Sequence, residues 1–255
     1  MVTTNIYDTT ACRSIIEQAG CFSLLEYKRD LSVSQGSAIT EYYASQMGIR
    51  KRQVIANLNG NGIIVQAGAM QWIGGNIEAA TNIKGAGDLA KKLIGSKVTG
   101  ESAIKPLYRG TGTIVLEPTY KHILFEDVAS WGTGIVIEDS LFYACDETVS
   151  TKVVARSNLS SAALGGEGLF NNCLTGKGIA VLESPVPRAE LIQMELTEPN
   201  DVVKIDGNMA IAWSSTLQFT VERTTKTLIG SAASGEGLVN VYRGVGKILM
   251  APVAK

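Results

Sequence analysis

Three glycine-rich strands, spaced almost evenly along the chain, constrain this sequence more than any other feature. Tyr108-Arg109-Gly110-Thr111-Gly112-Thr113-Ile114-Val115-Leu116-Glu117-Pro118 reappears near the carboxyl end as Tyr242-Arg243-Gly244-Val245-Gly246-Lys247-Ile248-Leu249-Met250-Ala251-Pro252. A third version lies between them, Leu174-Thr175-Gly176-Lys177-Gly178-Ile179-Ala180-Val181-Leu182-Glu183-Ser184-Pro185. The leading glycines, at 110, 176 and 244, stand 66 and 68 residues apart. A fixed period of this kind is the signature of a repeat architecture, and it governs how the rest of the chain is read.

Other landmarks keep the same period. Gly100-Glu101, Gly166-Glu167 and Gly235-Glu236 each stand eight or nine residues before the glycine pair. Earlier in each unit comes an apolar run broken by small or polar residues: Ile64 to Met70, Val136 to Phe142 and Val203 to Met209. Two apolar runs about an Asp-Gly-like break predict a hairpin. Glycines two apart share one face of a strand, where the missing side chains admit a close neighbour, a bulge or another backbone. The prolines Pro118, Pro185 and Pro252, which have no amide hydrogen, stop the ladder.

The expectation is an all-β fold. Three tandem β-sandwich or short double-stranded β-helix repeats span residues 56–118, 119–185 and 186–255, and residues 1–55 contribute strands to the first. A unit of this size buries little surface alone, so stacking supplies the shared core. Few helices are expected: only Asp88 to Ile94 and Ser14 to Gln18 read as helical, and Cys21 to Tyr27 reads as a strand. Trp72 and Trp213, at similar places in the first and third units, are expected to anchor the core or an interface.

Composition excludes several chemistries. The sole histidine, His122, rules out a multi-histidine metal site and must serve any histidine-based triad; it is expected on the surface or in packing. An enzymatic reading would join it to Glu126 and Asp127. Cys12, Cys21, Cys145 and Cys173 form no Cys-x-x-Cys pair and read as free thiols. Gly85-Ala86-Gly87-Asp88-Leu89-Ala90 follows no buried strand, which counts against dinucleotide binding, and Gly178 replaces the hydroxyl residue a phosphate loop needs. Asn158-Leu159-Ser160 is a formal glycosylation sequon that reads as a loop. No catalytic, cofactor-binding or metal-ligating residues are assigned, and no cofactor is expected.

Charge points toward self-association. With 23 basic and 24 acidic residues the net charge is −1, and only 18% of residues are charged against about 25% in ordinary globular chains. A surface this poor in charge predicts subunit contacts. Nucleic acid is disfavoured, because Arg109 and Arg243 match between units while Thr175 fills the middle position, breaking any basic track. Arg50-Lys51-Arg52, the one dense basic cluster, reads as a solvated or interface loop. The recurring glutamates Glu101, Glu167 and Glu236 read as turn formers, with a ligand- or metal-binding ring as the alternative. The amino terminus lacks the pattern of a signal peptide and no apolar run is long enough to span a bilayer, so the cytoplasm is the expected compartment.

Gly68-Ala69-Met70-Gln71-Trp72, Asn76-Ile77-Glu78, Gly100-Glu101-Ser102 and the Gly-x-Gly strands together resemble the "altered inheritance of mitochondria" family, a domain of unknown function. The resemblance covers the chain from about residue 20. It implies three repeats similar to the tryptophan-operon RNA-binding attenuation protein, in trimers whose nine repeats make a ring. Mitochondrial relatives are associated with inner-membrane organisation, and no enzyme activity comes with the family. The resulting expectation is a non-catalytic homo-oligomeric scaffold or binding protein, a trimer with itself as partner, with any protein or membrane-associated partner open.

Overall fold

The computed structural model describes residues 2–80, 105–138, 140–155, 170–223 and 238–252. Among them are seventeen strands and one α-helix, so the chain is all-β, as its short apolar runs and frequent turns predict. β1 (Arg13–Ala19) and β2 (Phe22–Tyr27) form an antiparallel hairpin, followed by α1 (Ala38–Gln46). Three long strands come next: β3 (Arg52–Val65), β4 (Met70–Ala80) and β5 (Leu107–Leu116). β3 runs through the expected boundary at residues 55 and 56.

Two sets of six short strands complete the chain. The first holds β6 (His122–Asp127), β7 (Ile135–Ile137), β8 (Phe142–Asp146), β9 (Val149–Ala155), β10 (Phe170–Gly176) and β11 (Ile179–Ser184). The second holds β12 (Ile192–Leu196), β13 (Val202–Asp206), β14 (Ala210–Ser214), β15 (Gln218–Arg223), β16 (Leu238–Arg243) and β17 (Gly246–Met250). An eight-stranded sheet runs β1-β2-β3-β8-β11-β6, with β5 joined to β3 and β4 to β5. A six-stranded sheet runs β12-β17-β14-β7-β10-β9, and a three-stranded sheet runs β13-β16-β15.

Pairing partners correspond between the two sets. β11 pairs β6 and β8 as β17 pairs β12 and β14; β10 pairs β7 and β9 as β16 pairs β13 and β15. A bulge falls at one place in each glycine strand's ladder. Register passes from Met70↔Leu116 to Trp72↔Val115, from Phe142↔Leu182 to Ala144↔Val181, and from Ala210↔Met250 to Ala212↔Leu249. Gln71, Tyr143 and Ile211 are thus the extra residues, each bending its strand locally. Just before them, the carbonyls of Ala69, Leu141 and Met209 accept the amides of Glu117, Glu183 and Ala251, each at 2.7 Å.

The apolar–turn–apolar segments are not hairpins, which corrects the expectation from sequence. β7 lies in the six-stranded sheet and β8 in the eight-stranded one; β13 lies in the three-stranded sheet and β14 in the six-stranded one, while β3 and β4 each pair β5 but not one another. A turn with small residues carries the chain around a corner as readily as back on itself, and the partners decide which. Ser14 to Gln18 is likewise strand, not helix: it lies in β1, antiparallel to β2, where the β-branched Ile15 and Ile16 suit a pleated surface. α1 escapes a sequence reading because none of its residues is buried, leaving no apolar stripe to detect. The helix expected at Asp88 to Ile94 lies outside the described residues.

One core cluster includes Leu124, Ile135, Ile137, Phe142, Leu174, Leu182 and Leu249, drawn from the eight- and six-stranded sheets together, with Trp131 from the short 3-10 turn after β6. A second gathers Phe22, Val54, Ile63, Ile114, Phe125 and Tyr143 around β3 and β5. A third lies around Trp213, Tyr242 and Ile248. Both larger sheets therefore draw strands from different parts of the sequence, and the joints where those parts meet position the site.

Candidate functional site

Two backbone joints, one inside each of the larger sheets, tie successive parts of the chain together. In the first, the end of β3 lies antiparallel to β8, with Ile63 opposite Asp146, Ile64 opposite Cys145 and Val65 opposite Ala144. Gln66 N–H donates to the Tyr143 carbonyl at 2.9 Å, and Glu147 N–H donates to the Gly62 carbonyl at 3.0 Å. In the second, β7 lies antiparallel to β14, with Ile135 opposite Ser214, Val136 opposite Trp213 and Ile137 opposite Ala212. Glu138 N–H donates to Ile211 at 3.0 Å and Ser215 N–H to Gly134 at 2.9 Å. The joints match pair for pair, from the bulge residue at one end to the glycine at the other.

Strands in these joints are dry: all of β7 and β14 are buried, as are Phe142 to Cys145 of β8. Two other strands are not so covered. Among the described residues, β4 pairs β5 alone, and β13 pairs β16 alone. Along β13, Val202 is 46% exposed, and Lys204 and Asp206 are exposed while Ile205 is buried. On β4, Gln71 is exposed and Trp72, Ile73 and Gly74 are half-buried.

Close backbone approach explains the glycine strand. At Gly112, φ is +151° and a Cβ would overlap the Gly74 carbonyl; at Gly110 the obstacle is the Asn76 carbonyl. A Cβ on Gly176 would sit 2.6 Å from the Thr148 carbonyl oxygen, one on Gly178 2.9 Å from Asp146 Cβ, and one on Gly246 2.8 Å from Ser214 Cβ. Gly244 is open, with its nearest obstacle at 4.0 Å. Of the three uses considered for these glycines, approach of another backbone is the one met at Gly110, Gly112 and Gly176. Pro118, Pro185 and Pro252 follow the ends of β5, β11 and β17.

The sequence-based candidates otherwise scatter. Glu101, Glu167 and Glu236, with the dinucleotide-like glycines and the sequon, lie outside the described residues. His122 opens β6 opposite Ser184. Burial, then the nearby Arg52, lowers its pKa. Glu126 is four residues along the same strand, about 13 Å away at the usual rise, with buried Leu124 between them on that face. It is buried, ion-paired to Arg188, and accepts a hydrogen bond from Trp131 Nε1 at 3.1 Å. Asp127 is exposed and caps a short 3-10 turn by accepting from Ala129 N–H. His122, Glu126 and Asp127 do not converge.

The basic cluster is paired, not a free solvated loop. Arg50 and Arg52 bind the two oxygens of Glu26 at 2.7 and 3.0 Å, and Lys51 binds Asp30 at 2.9 Å. Trp213 is buried, stacked on Phe219 and edge-on to Tyr242. Trp72 packs in a separate cluster with Ile6, Leu25, Ile55 and Val115. The two tryptophans are not equivalent, because Trp72 faces Val115, three past Gly112, whereas Trp213 faces Ile248, two past Gly246. One residue of offset places them on opposite faces.

All four cysteines are free. Burial, then the Asp146 charge, pushes the thiols of Cys21 and Cys145 up to about 12, which makes them poor nucleophiles. Among the described residues no group of three or more His, Cys, Asp or Glu could hold a metal ion, and no helix is long and apolar enough to cross a membrane.

Residues 47–253 match the model of a family described as mitochondrial biogenesis AIM24. An uncharacterized protein of Streptococcus pyogenes serotype M6 is 27% identical over 198 residues, covering 74% of this chain and 76% of that protein. The crystal structure of a Streptococcus pyogenes protein from a structural-genomics consortium superposes with a TM-score of 0.58 at 24% identity, covering 80% of this chain and 89% of that one. That likeness concerns the fold.

Proposed function

The chain belongs to the mitochondrial biogenesis AIM24 family, and from that premise we propose that it is a non-catalytic homo-oligomeric β scaffold, built from three copies of one unit and assembled as a trimer. The observation that carries this reading is the pair of matching joints within the chain. A surface that recurs on successive units is heterologous, head to tail, and such contacts end in a ring where the rotation between units closes. The low charge of the chain and its half-covered β4 and β13 edges support the same reading.

Catalysis finds no support in the described geometry: His122 stands apart from Glu126, Glu126 is engaged in an ion pair and Asp127 in a turn, and the buried thiols are held protonated. Light scattering on the eluting size-exclusion peak tests the proposal. A mass of three chains is expected, independent of concentration over the micromolar range. A monodisperse single-chain mass overturns it.

A further inference from the structure

We propose that β13 of one chain pairs antiparallel with β4 of the next, residues 202–206 against 75–71, forming a third joint in the register of the two internal ones. This inference rests on the oligomeric reading above and names the surface that makes the oligomer.

The register follows from the bulges and glycines. In the first joint Gln66 meets the bulge residue Tyr143 and Gly62 meets Glu147; in the second Glu138 meets Ile211 and Gly134 meets Ser215. By strand order and by pairing with the glycine strand, the counterparts left over are Asp206 with the bulge residue Gln71, and Val202 with Gly75. Ile137 faces Asn172 on β10 as Ile205 faces Asn240 on β16. Trp72 stands beside the bulge as Ala144 and Ala212 do. The third joint therefore sets Ile205 against Trp72, Lys204 against Ile73 and Val203 against Gly74.

Sheet composition points the same way. The six-stranded sheet consists of β12, β17 and β14 joined to β7, β10 and β9. The three-stranded sheet β13-β16-β15 corresponds to the second half of that sheet, and among the described residues no first half lies beside it. The open edge of β4, carried on β5 and β3, corresponds to β14 and β8, the strands that each receive such a neighbour. One end of the chain offers what the other end lacks, so the occupant is a second copy of this chain.

Side chains at the open edges are complementary. At the end of each internal joint a glycine faces a residue with a side chain, Gly62 against Glu147 and Gly134 against Ser215. At the open joint the glycine has changed sides, Val202 against Gly75, so two side chains never compete for the position. A Cβ on Gly75 would stand 2.7 Å from the Thr111 carbonyl oxygen, so that side stays bare. Half-exposed Val202 and Trp72 are apolar groups that this pairing would cover, and an unpaired strand edge is a template for addition of another strand.

Cysteine cross-linking reads the register directly. In a background with Cys12→Ser and Cys21→Ser, the pairs Lys204→Cys with Ile73→Cys and Asp206→Cys with Gln71→Cys are oxidised at low protein concentration. Both are expected to convert most of the chain to covalent multimers on a non-reducing gel, with wild-type circular dichroism. Lys204→Cys with Trp72→Cys, whose side chains face opposite sides, is expected to give at least tenfold less product. Absence of product from both in-register pairs, in folded protein that still shows a multi-chain mass, overturns this joint and leaves the oligomer standing. A single-chain mass overturns both.

Discussion

The amide of Gln66 donates to the carbonyl of Tyr143 at 2.9 Å, tying the end of β3 to the bulge of β8. Glu138 and Ile211 repeat that bond at 3.0 Å between β7 and β14. A bulge is locally irregular, yet here it supplies the bond that fixes register between neighbouring parts of the chain.

Gly112 is expected to tolerate no side chain. Its positive φ and the overlap of a Cβ with the Gly74 carbonyl put Gly112→Ala in the class of strained backbone with steric conflict, about 3 kcal/mol or more. Gly68 has φ of +82° with nothing within 4 Å of a Cβ, so Gly68→Ala is expected to cost only about 1 kcal/mol. Urea denaturation of both variants checks the difference, and equal costs contradict the close-approach account.

Glu26 holds two arginines, and Arg52 is buried. Glu26→Gln is expected to destabilise by about 3 kcal/mol, because it leaves a guanidinium buried without its carboxylate. Glu222, whose pair with Arg243 is about one-third exposed on each side, is expected to change stability by less than about 1 kcal/mol in Glu222→Gln. Chemical denaturation of the two variants side by side measures the gap.

His122 gives a pH dependence of definite sign. Its folded pKa lies below the ordinary 6.5, first through burial and then through Arg52, so the unfolded chain binds the proton more tightly. Stability then falls as pH drops through 6.5 and levels off below the folded value. Asp30, held below its ordinary 3.8 mainly by Lys51, adds a second loss that begins as pH falls below about 5. Melting curves from pH 8 to 3 are expected to show both steps, and His122→Gln is expected to remove the upper one alone.

Cys21 and Cys145, with thiols pushed up to about 12, are expected to resist iodoacetamide at pH 8 in the native protein. Both should be alkylated within minutes once unfolded in guanidinium. Peptide mass spectrometry at timed quenches decides this, and rapid native labelling of Cys21 contradicts its burial beside Asp146.

The sequence made the strand content legible because its apolar runs are short and its glycine strands carry a local requirement. Gly110, Gly112 and Gly176 meet backbone that no larger residue could approach, so the need is written in the residues themselves. Hairpin and corner could not be told apart at Gly68 or Gly207, because the turn is the same and the partner strand lies far off in sequence. The offset between Trp72 and Trp213 was hidden for the same reason: face depends on register, and register is set by the bulges at Gln71 and Ile211. α1 left no trace because a helix that buries nothing needs no apolar period. Arg50-Lys51-Arg52 looked solvated because Glu26 and Asp30, which neutralise it, sit on the preceding hairpin and its exit.

Mixing two edge-blocked chains tests head-to-tail assembly most directly. Lys204→Pro blocks the β13 edge, because by the register of the internal joints the Lys204 amide points away from β16, and Ile73→Pro blocks the β4 edge, each leaving the opposite edge intact. Each variant alone is expected to run as a single chain by light scattering, and an equimolar mixture is expected to give a two-chain complex and nothing larger. Folded variants that keep the wild-type mass alone, or that stay single chains when mixed, would contradict the account.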